Sequence, residues 1–272
     1  MSRAAEPNAV KDELISVTAE LLESLDGAMI TGCDLNTSLA DMERLTALTP
    51  HVLAAVGSPV EASAATAHGT LGAVEAVLEK ELKDANPGRA LVHGCGAVGG
   101  TVARHLVDHG WTVFTVDLDR DKASLPGATP LPESCQWWEL KLDMVLPCSI
   151  SGLINSEMAA ALRAPAVVPA ANAPFQQPQL ADDLRRRGVR VLPDPLVNAG
   201  AVIADSIERF SPDAWKDAGA KDVYAFVREE VRRRASDYLN QREQGLSVGA
   251  ALHEVAATPT TEPIGLSFGE SE

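Results

Sequence analysis

Apolar residues near the start of the chain recur at steps of three or four, which is the period of a helix with one apolar face. The residues concerned are Val10, Leu14, Val17, Leu21 and Leu25. Gly27 follows, at a position where glycine commonly ends a helix. The pattern then predicts a short strand over 28–34 that runs into a loop, a weak helix over 41–55 and a strong helix over 62–83. The first third of the chain is therefore predicted to be mostly helical.

From residue 87 onward, short apolar runs alternate with amphipathic stretches. The runs predict five strands, at 89–93, 111–117, 143–147, 166–169 and 189–193. The stretches between and after them predict helices, at 97–109, 156–163, 179–187 and 198–210. Strands that alternate with helices form a parallel sheet with right-handed crossovers. We therefore predict an α/β fold with a doubly wound parallel sheet, followed by two further helices over 223–239 and 245–255.

Composition narrows the class of protein. Of the 272 residues, 46% are hydrophobic and 22% are charged, which is ordinary for a globular protein and excludes a mainly disordered chain. Apolar runs are too short for a membrane span and the first residues form no signal peptide, so we expect a cytoplasmic protein that does not bind membranes. With 38 acidic and 23 basic residues the net charge is −15, which disfavours nucleic acid as a partner.

The four cysteines form no C-x-x-C pair, and no histidine has further ligands at a suitable spacing. We therefore expect no metal site. A disulfide framework is also not expected in a chain of this size in a reducing compartment.

A glycine-rich motif, G-x-G-x-x-G, lies between the first strand and the first helix of the sheet region. Gly94 is expected to form the tight turn, Gly96 to let the backbone approach a pyrophosphate, and Gly99 to let helix and strand pack closely. Ala97 and Val98 would open the helix whose N-terminal N–H groups bind the phosphates. A Rossmann-type dinucleotide site is therefore predicted, and the alternative is a glycine-rich turn without a ligand.

An acidic residue stands where such a site needs one. Asp117 lies 23 residues after Gly94, at the end of the next strand, and Leu118 follows it. A carboxylate there accepts hydrogen bonds from the ribose hydroxyls and repels a 2′-phosphate. We therefore expect NAD as the cofactor and favour it over NADP, although the nearby Arg120 leaves NADP open.

Three later segments resemble a known family: Asp-Met-Val-Leu-Pro-Cys-Ser at 143–149, Pro-Ala-Ala-Asn-Ala-Pro at 169–174, and the stretch at 191–203 that contains Leu-Val-Asn-Ala-Gly. In this order they resemble the cofactor domain of the glutamate/leucine/phenylalanine/valine dehydrogenase superfamily. Thr-Gly-Cys-Asp at 31–34 resembles the family's catalytic aspartate loop, and Thr-Ala-His-Gly at 66–69 resembles its T-A-x-G helix start. The resemblance extends from residue 14 to residue 255 and is closest to the branched-chain and aromatic members.

The resemblance implies roles for individual residues near the reacting atoms. Asp34 looks like the aspartate that exchanges protons with the amino or imino group. Thr66 looks like a contact to the nicotinamide amide. Cys148 and Ser149 would lie beside the cofactor at the end of their strand.

Two asparagines and one valine are also implied. Asn172 looks like a contact to the nicotinamide ribose, and Asn198 looks like a residue at the substrate end of the cleft, with Val202 in the side-chain pocket. From the residues alone, either asparagine could equally be a loop or N-cap residue. Both follow strand ends, where open α/β sheets bind their ligands.

The chain departs from the family pattern in one respect. Family members carry a glycine-rich lysine motif ahead of the aspartate loop, whereas only 33 residues precede Asp34 here. None of the seven lysines has such a context: Lys11, Lys80, Lys83, Lys122, Lys141, Lys216 and Lys221. We expect a shortened protein, with residues 1–60 as a truncated, mostly helical remnant of the catalytic domain. Residues 61–215 would form the NAD-binding domain, 216–256 helices that pack back on the remnant, and 257–272 a flexible tail.

Since the lysine that activates water is expected to be missing, ordinary oxidative deamination should be impaired. We predict an NAD-dependent oxidoreductase that transfers a hydride to or from a small amino-acid-like, imine or enamine substrate, with Asp34 as the catalytic residue. The alternatives are a catalytically silent NAD-binding regulatory or partner subunit, and an ordinary dehydrogenase with Lys80 in the missing role. A homodimer is expected.

Overall fold

The computed structural model describes residues 7–33, 37–53, 56–80 and 87–258. A six-stranded sheet lies at its centre, formed by β1 (Arg89–His93), β2 (Thr112–Val116), β3 (Thr129–Pro130), β4 (Met144–Pro147), β5 (Ala166–Val167) and β6 (Arg190–Val191). The strand order is β3-β2-β1-β4-β5-β6 and every neighbouring pair is parallel. The chain thus winds outward from β1 in both directions, which confirms the predicted doubly wound Rossmann-type sheet.

Helices cover both faces of this sheet and extend beyond it. In chain order they are α1 (Pro7–Ser24), α2 (Leu39–Thr46), α3 (Ala62–Lys80), α4 (Ala97–Asp108), α5 (Arg120–Ala123), α6 (Ser156–Ala161), α7 (Gln179–Arg186), α8 (Asp194–Val197), α9 (Gly200–Phe210), α10 (Pro212–Asp217), α11 (Ala220–Glu243) and α12 (Val248–Ala257). Alternate residues of β1 contribute to two apolar cores, Val92 to one and Leu91 to the other. None of the helices within the described ranges is both long and apolar enough to cross a bilayer.

Two sequence predictions about strands differ from the structure. The sixth strand, β3, was not predicted because it is two exposed residues long and ends in proline, as edge strands can. The apolar run at 28–34 is not a regular strand within the described residues, since only Thr31 pairs, through a single parallel bridge to Val52. Both pieces are too short to produce a period-two pattern.

The first helix forms as predicted, but it buries a different face. The predicted apolar row is exposed, at 45, 60, 55, 55 and 38% for Val10, Leu14, Val17, Leu21 and Leu25. A second row, Ile15, Ala19 and Leu22, packs instead against Met42 and Leu45 of α2. Helix α1 carries apolar residues on two rows, and the short α2 covers only one of them.

Helix α3 approaches its neighbours at distances that only glycine permits. An ideal Cβ at Gly72 would lie 2.1 Å from the carbonyl oxygen of Arg228 in α11, and one at Gly200 in α9 would lie 2.1 Å from the carbonyl oxygen of Ala65. The Nε of Arg228 also donates to Glu75 across the same contact, at 3.0 Å. These contacts fix α3 against the C-terminal half of the chain and bring its first turns next to the start of α9.

Candidate functional site

The glycine-rich loop connects the carboxyl end of β1 to the start of α4. Gly94 has a φ of +92°, in the left-handed region that favours glycine, and an ideal Cβ there would lie 2.6 Å from the Cα of Ser149. An ideal Cβ at Gly99 would lie 1.9 Å from the carbonyl oxygen of Gly94. These two positions therefore need glycine for the fold itself.

Gly96 is different, because nothing in the described chain requires glycine there. Its φ is −69°, and a Cβ would meet no atom within 4 Å. It is the N-cap of α4, and no side chain caps the N–H groups of the first turn, where Ala97 and Val98 lie. Open space beside uncapped helix N–H groups fits a pyrophosphate that the backbone must approach closely.

Asp117 follows β2 and faces the same loop. Its Oδ2 accepts a hydrogen bond from the backbone N–H of Cys95 at 2.6 Å, and its Oδ1 accepts one from the N–H of Asp119 at 2.8 Å. Each carboxylate oxygen has a second lone pair that can accept from a ribose hydroxyl. The neighbouring Leu118 is 84% exposed, so an apolar side chain stands free beside this carboxylate.

The end of β4 brings Cys148 and Ser149 against the glycine loop, and adds a histidine that the sequence did not single out. The Nδ1 of His93 and the Oγ of Ser149 are 2.9 Å apart. Burial lowers the pKa of His93, an effect that Asp117 partly opposes, and thus favours a neutral ring. Burial also raises the pKa of the Cys148 thiol to about 12, so this thiol is protonated near neutral pH.

The two asparagines lie together at the ends of neighbouring strands. The Nδ2 of Asn198 donates to the Oδ1 of Asn172 at 2.6 Å and to the carbonyl oxygen of Ala170 at 3.2 Å. Thr66 is close to the same region, because an ideal Cβ at Gly200 would lie 2.8 Å from its Cα. The Thr66 hydroxyl donates to the carbonyl oxygen of Ala62 at 3.0 Å. Helix α3 begins at Ala62, as predicted for the helix over 62–83, so the T-A-x-G segment lies one turn inside it rather than at its start.

A further acidic residue lies beside Gly32, in the segment predicted as the aspartate loop, and the sequence analysis did not identify it. Asp205 lies on α9, almost one turn beyond the exposed Val202. Burial, assisted by Glu208, raises the pKa of Asp205 to about 6. Its Oδ2 lies 3.9 Å from an ideal Cβ on Gly32. The sequence did contain one indication of this residue, because Asp205 directly follows the apolar stretch 199–204. Asp34, two residues after Gly32, lies outside the described residues.

The structure thus brings most predicted site residues to one edge, the carboxyl ends of the parallel strands, where open α/β sheets bind ligands. Lys80 is not part of this edge. It donates to the Oδ1 of Asn240 and lies about 21 Å along α3 from Thr66, at 1.5 Å per residue. Within the described ranges, no three His, Cys, Asp and Glu side chains are grouped to hold a metal ion.

Comparison with known proteins identifies the family. Residues 117–260 match the family model Glutamate/Leucine/Phenylalanine/Valine dehydrogenase, which is more than half of the chain, so the protein belongs to this family. A valine dehydrogenase of Streptomyces albus is 31% identical over 268 residues, which cover 92% of this chain and 71% of that protein. An L-tryptophan dehydrogenase of Nostoc punctiforme is 31% identical over 206 residues, covering 73% of this chain.

Solved structures agree with this relationship. The crystal structure of L-tryptophan dehydrogenase from Nostoc punctiforme superposes with a TM-score of 0.73 at 25% identity, covering 90% of this chain and 71% of that one. The hetero-hexameric glutamate dehydrogenase from Thermus thermophilus, at 20% identity, shares the fold with a TM-score of 0.73. The chain spans 58% of the first tryptophan dehydrogenase sequence and 71% of the valine dehydrogenase.

Proposed function

We propose that this chain is an NAD-dependent oxidoreductase, and Gly96 is the observation that carries the proposal. Glycine at that position is unexplained by the packing of the described chain, and it stands where a pyrophosphate would approach the N-terminus of α4. Gly94, Ala97, Val98 and Gly99 would complete the phosphate cradle. When bound, the nicotinamide would supply the hydride acceptor or donor.

Residues further along the sheet edge would select and orient the cofactor. Asp117 would accept from the adenosine ribose hydroxyls and repel a 2′-phosphate, which favours NAD over NADP. Leu118 would give an apolar wall beside that ribose. Cys148 and Ser149 would flank the cofactor where β4 ends.

At the nicotinamide end, Thr66 would contact the amide group, Asn172 the ribose and Asn198 the substrate end of the cleft. The hydrogen bond between the two asparagines supports a shared role. Asp34 would donate a proton to the amino or imino group of the substrate.

The substrate would be a small amino-acid-like, imine or enamine molecule. The relatives named for tryptophan, phenylalanine and valine support this class. Oxidative deamination also requires an attack of water on an iminium, and Lys80 is engaged away from the strand ends, where it donates to Asn240. Hydride transfer to an existing C=N or C=C bond requires only a positioned substrate and a proton donor.

Calorimetric titration with NAD, NADH and NADPH tests cofactor binding. An NADH-consumption screen over keto acids with ammonia and over cyclic imines then tests turnover. We expect saturable NADH binding and turnover of a C=N or C=C substrate, with turnover lost and NADH affinity kept in Asp34→Asn. Absence of NADH binding would refute the proposal.

A second candidate is a catalytically silent NAD-binding regulatory or partner subunit. The engagement of Lys80 with Asn240 favours it, since that lysine is then held away from the site. A glutamate dehydrogenase of the same fold is hetero-hexameric, which supports testing for a partner. Purification from the native host would yield a stoichiometric dehydrogenase partner in this case. A homodimer that turns over substrate by itself would exclude the second candidate.

A further inference from the structure

A cavity of about 70 Å³ lies at the amino end of β6, between that strand, α7 and the last turns of α11. Its polar lining comprises Arg185, Arg190, Arg242, Tyr238 and Glu243. One ordered water requires only about 10–15 Å³ of such space, so the cavity has room for a larger polar group. Three arginines around one small cavity are unusual in a chain with a net charge of −15.

The hydroxyl of Tyr238 indicates which kind of chemical group this cavity can bind. Tyr238 is 2% exposed, and its buried Oη has no hydrogen bond of good geometry in the described structure. Arg185 is near enough to donate to this oxygen, which leaves the O–H hydrogen without an acceptor. A buried hydroxyl normally finds a partner, because it is costly to remove from water without one. Arginine has donors and no acceptor. The group that completes the cavity should therefore be rich in acceptor oxygens.

Arg185 is held in place with donors to spare. Its Nε and Nη2 both donate to the carbonyl oxygen of Val191, each at 3.1 Å, and its Nη1 donates to Asp182 at 2.9 Å. A guanidinium has five N–H groups, so two remain, one for the nearby Tyr238 hydroxyl and one for a ligand. The contacts to Val191 fix the group against β6 and make it a preorganised donor.

Arg242 supplies a second cation from α11. Its Nη1 donates to the carbonyl oxygen of Leu246, and in the described part of the chain no carboxylate lies within 4.0 Å of its guanidinium. Burial, assisted by the charge of Asp182, raises the pKa of Tyr238, while the charges of Arg185 and Arg242 and a hydrogen bond from Arg185 oppose this rise. Glu243 is exposed at the rim.

We propose that this cavity binds a small oxyanion, either inorganic phosphate or the phosphoryl or carboxylate group of a metabolite. The anion's oxygens would accept from Arg185, Arg242 and the Tyr238 hydroxyl, a geometry that suits the planar guanidinium fork. The bound anion would tie α11 to β6. The site is three strand spacings from β1, roughly 14 Å, and at the opposite end of the strands from the glycine loop, so it would not compete with the cofactor.

Calorimetry and thermal unfolding with inorganic phosphate, against chloride at equal ionic strength, test the proposal. We expect saturable binding and a raised unfolding temperature, with affinity at least about tenfold weaker in Arg242→Gln. Arg186→Gln is the matched control, since Arg186 lies on the same helix as Arg185 but is exposed and paired with Asp183. It should bind phosphate like the unmodified chain.

Tyr238→Phe separates binding from a purely structural role. Without phosphate its unfolding temperature should equal or exceed that of the unmodified chain, because the buried O–H without an acceptor is gone. Phosphate should raise the unfolding temperature of Tyr238→Phe by less than it raises that of the unmodified chain. Parallel titrations with glycerol 3-phosphate and acetate identify whether a free ion, a phosphate monoester or a carboxylate binds most tightly. The proposal is overturned if none of the three binds saturably, or if Arg186→Gln loses as much affinity as Arg242→Gln.

Discussion

The carboxylate of Asp117 accepts a hydrogen bond from the backbone N–H of Cys95 at 2.6 Å, so the acid at the end of β2 holds the loop that ends β1. The same carboxylate is the proposed acceptor for the ribose hydroxyls. Loop shape and cofactor choice therefore depend on one side chain, and a change at Asp117 should affect both.

Asp117→Ala removes the acceptor for two backbone N–H groups and the negative charge. We expect the affinity for NADH to fall about tenfold, since hydrogen bonds to a charged group are lost. The preference for NADH over NADPH should shrink, since no charge then repels a 2′-phosphate. Calorimetric titration with both cofactors measures this. Asp119→Ala is the control, because it removes a neighbouring acid that caps α5. An unchanged NADH/NADPH ratio in Asp117→Ala would contradict the proposed ribose contact.

Gly96→Ala adds a methyl group where the described chain leaves space. The free energy of unfolding should therefore change little, while NADH affinity should fall by about tenfold or more because the methyl group occupies the pyrophosphate approach. Gly249→Ala is a matched control, as a Cβ there also meets nothing within 4 Å. Equal NADH affinity in the two variants would mean that the loop binds no pyrophosphate.

Asp205 should make stability depend on pH. Its pKa is raised from 3.8 to about 6 in the folded chain, so the folded state holds the proton more tightly than the unfolded state does. Stability should then fall as the pH rises from about 4 to about 6. Asp205→Asn removes this dependence and should be more stable at pH 7 by on the order of 1 kcal/mol, a value reduced because water still reaches the carboxylate.

Urea unfolding of the unmodified chain and of Asp205→Asn at pH 4, 5, 6 and 7 measures the difference in their free energies of unfolding. Asp213→Asn controls for the amide substitution at a fully exposed side chain. A stability difference between Asp205→Asn and the unmodified chain that is constant across this range would show that Asp205 does not titrate as described.

Gly72→Ala should disrupt the packing of α3 on α11. Its Cβ would lie 2.1 Å from the carbonyl oxygen of Arg228, and a backbone atom cannot move aside as a side chain can. We expect a loss of about 3 kcal/mol in the free energy of unfolding, at the upper end for overpacking. Gly249→Ala serves again as the control, since it adds the same methyl group in open space. A loss below about 1 kcal/mol would mean that the helices can separate without cost.

If the homodimer expected from the sequence forms, the exposed apolar row on α1 is the surface through which we expect it to associate. A double variant, Leu14→Glu with Leu21→Glu, should shift the expected homodimer to a monomer, because both side chains are more than half exposed in the single chain. Light scattering after size-exclusion chromatography measures the mass. Phe210→Glu changes an apolar residue on another helix that is even more exposed, at 74%, and should leave the mass unchanged. A dimer that survives the double variant would place the interface elsewhere.

Much of the fold could be predicted because regular elements leave a periodic signal. The central strands and the long helices α3, α4 and α11 are long enough to show their period. The two residues of β3 are both exposed and lie in no apolar run, whereas the equally short β5 and β6 lie within the apolar runs at 166–169 and 189–193. For α1 the period predicted the helix but not its buried face, since both apolar rows satisfy the same spacing and only the position of α2 selects between them.

The candidate site was predictable where its residues follow one another in the chain, as in the glycine loop. Contacts between distant segments were not. His93 contacts Ser149 across two strands, and Asp205 of α9 lies beside Gly32, so no spacing in the sequence predicts either pair. The exposure of Leu118 and the hydrogen bond between Asn172 and Asn198 likewise depend on packing.

The glycine contact between α3 and α11 also constrains how the chain can fold. Glu75 and Arg228, which pair across this contact, are 153 positions apart in the sequence. Such non-local contacts slow folding, because most of the chain must be ordered before they form. During synthesis, α3 emerges long before α11. The apolar face of α3 that α11 covers in the folded chain is therefore exposed until α11 has been made. A chain cut before Arg228 would keep that face uncovered and would be prone to aggregation.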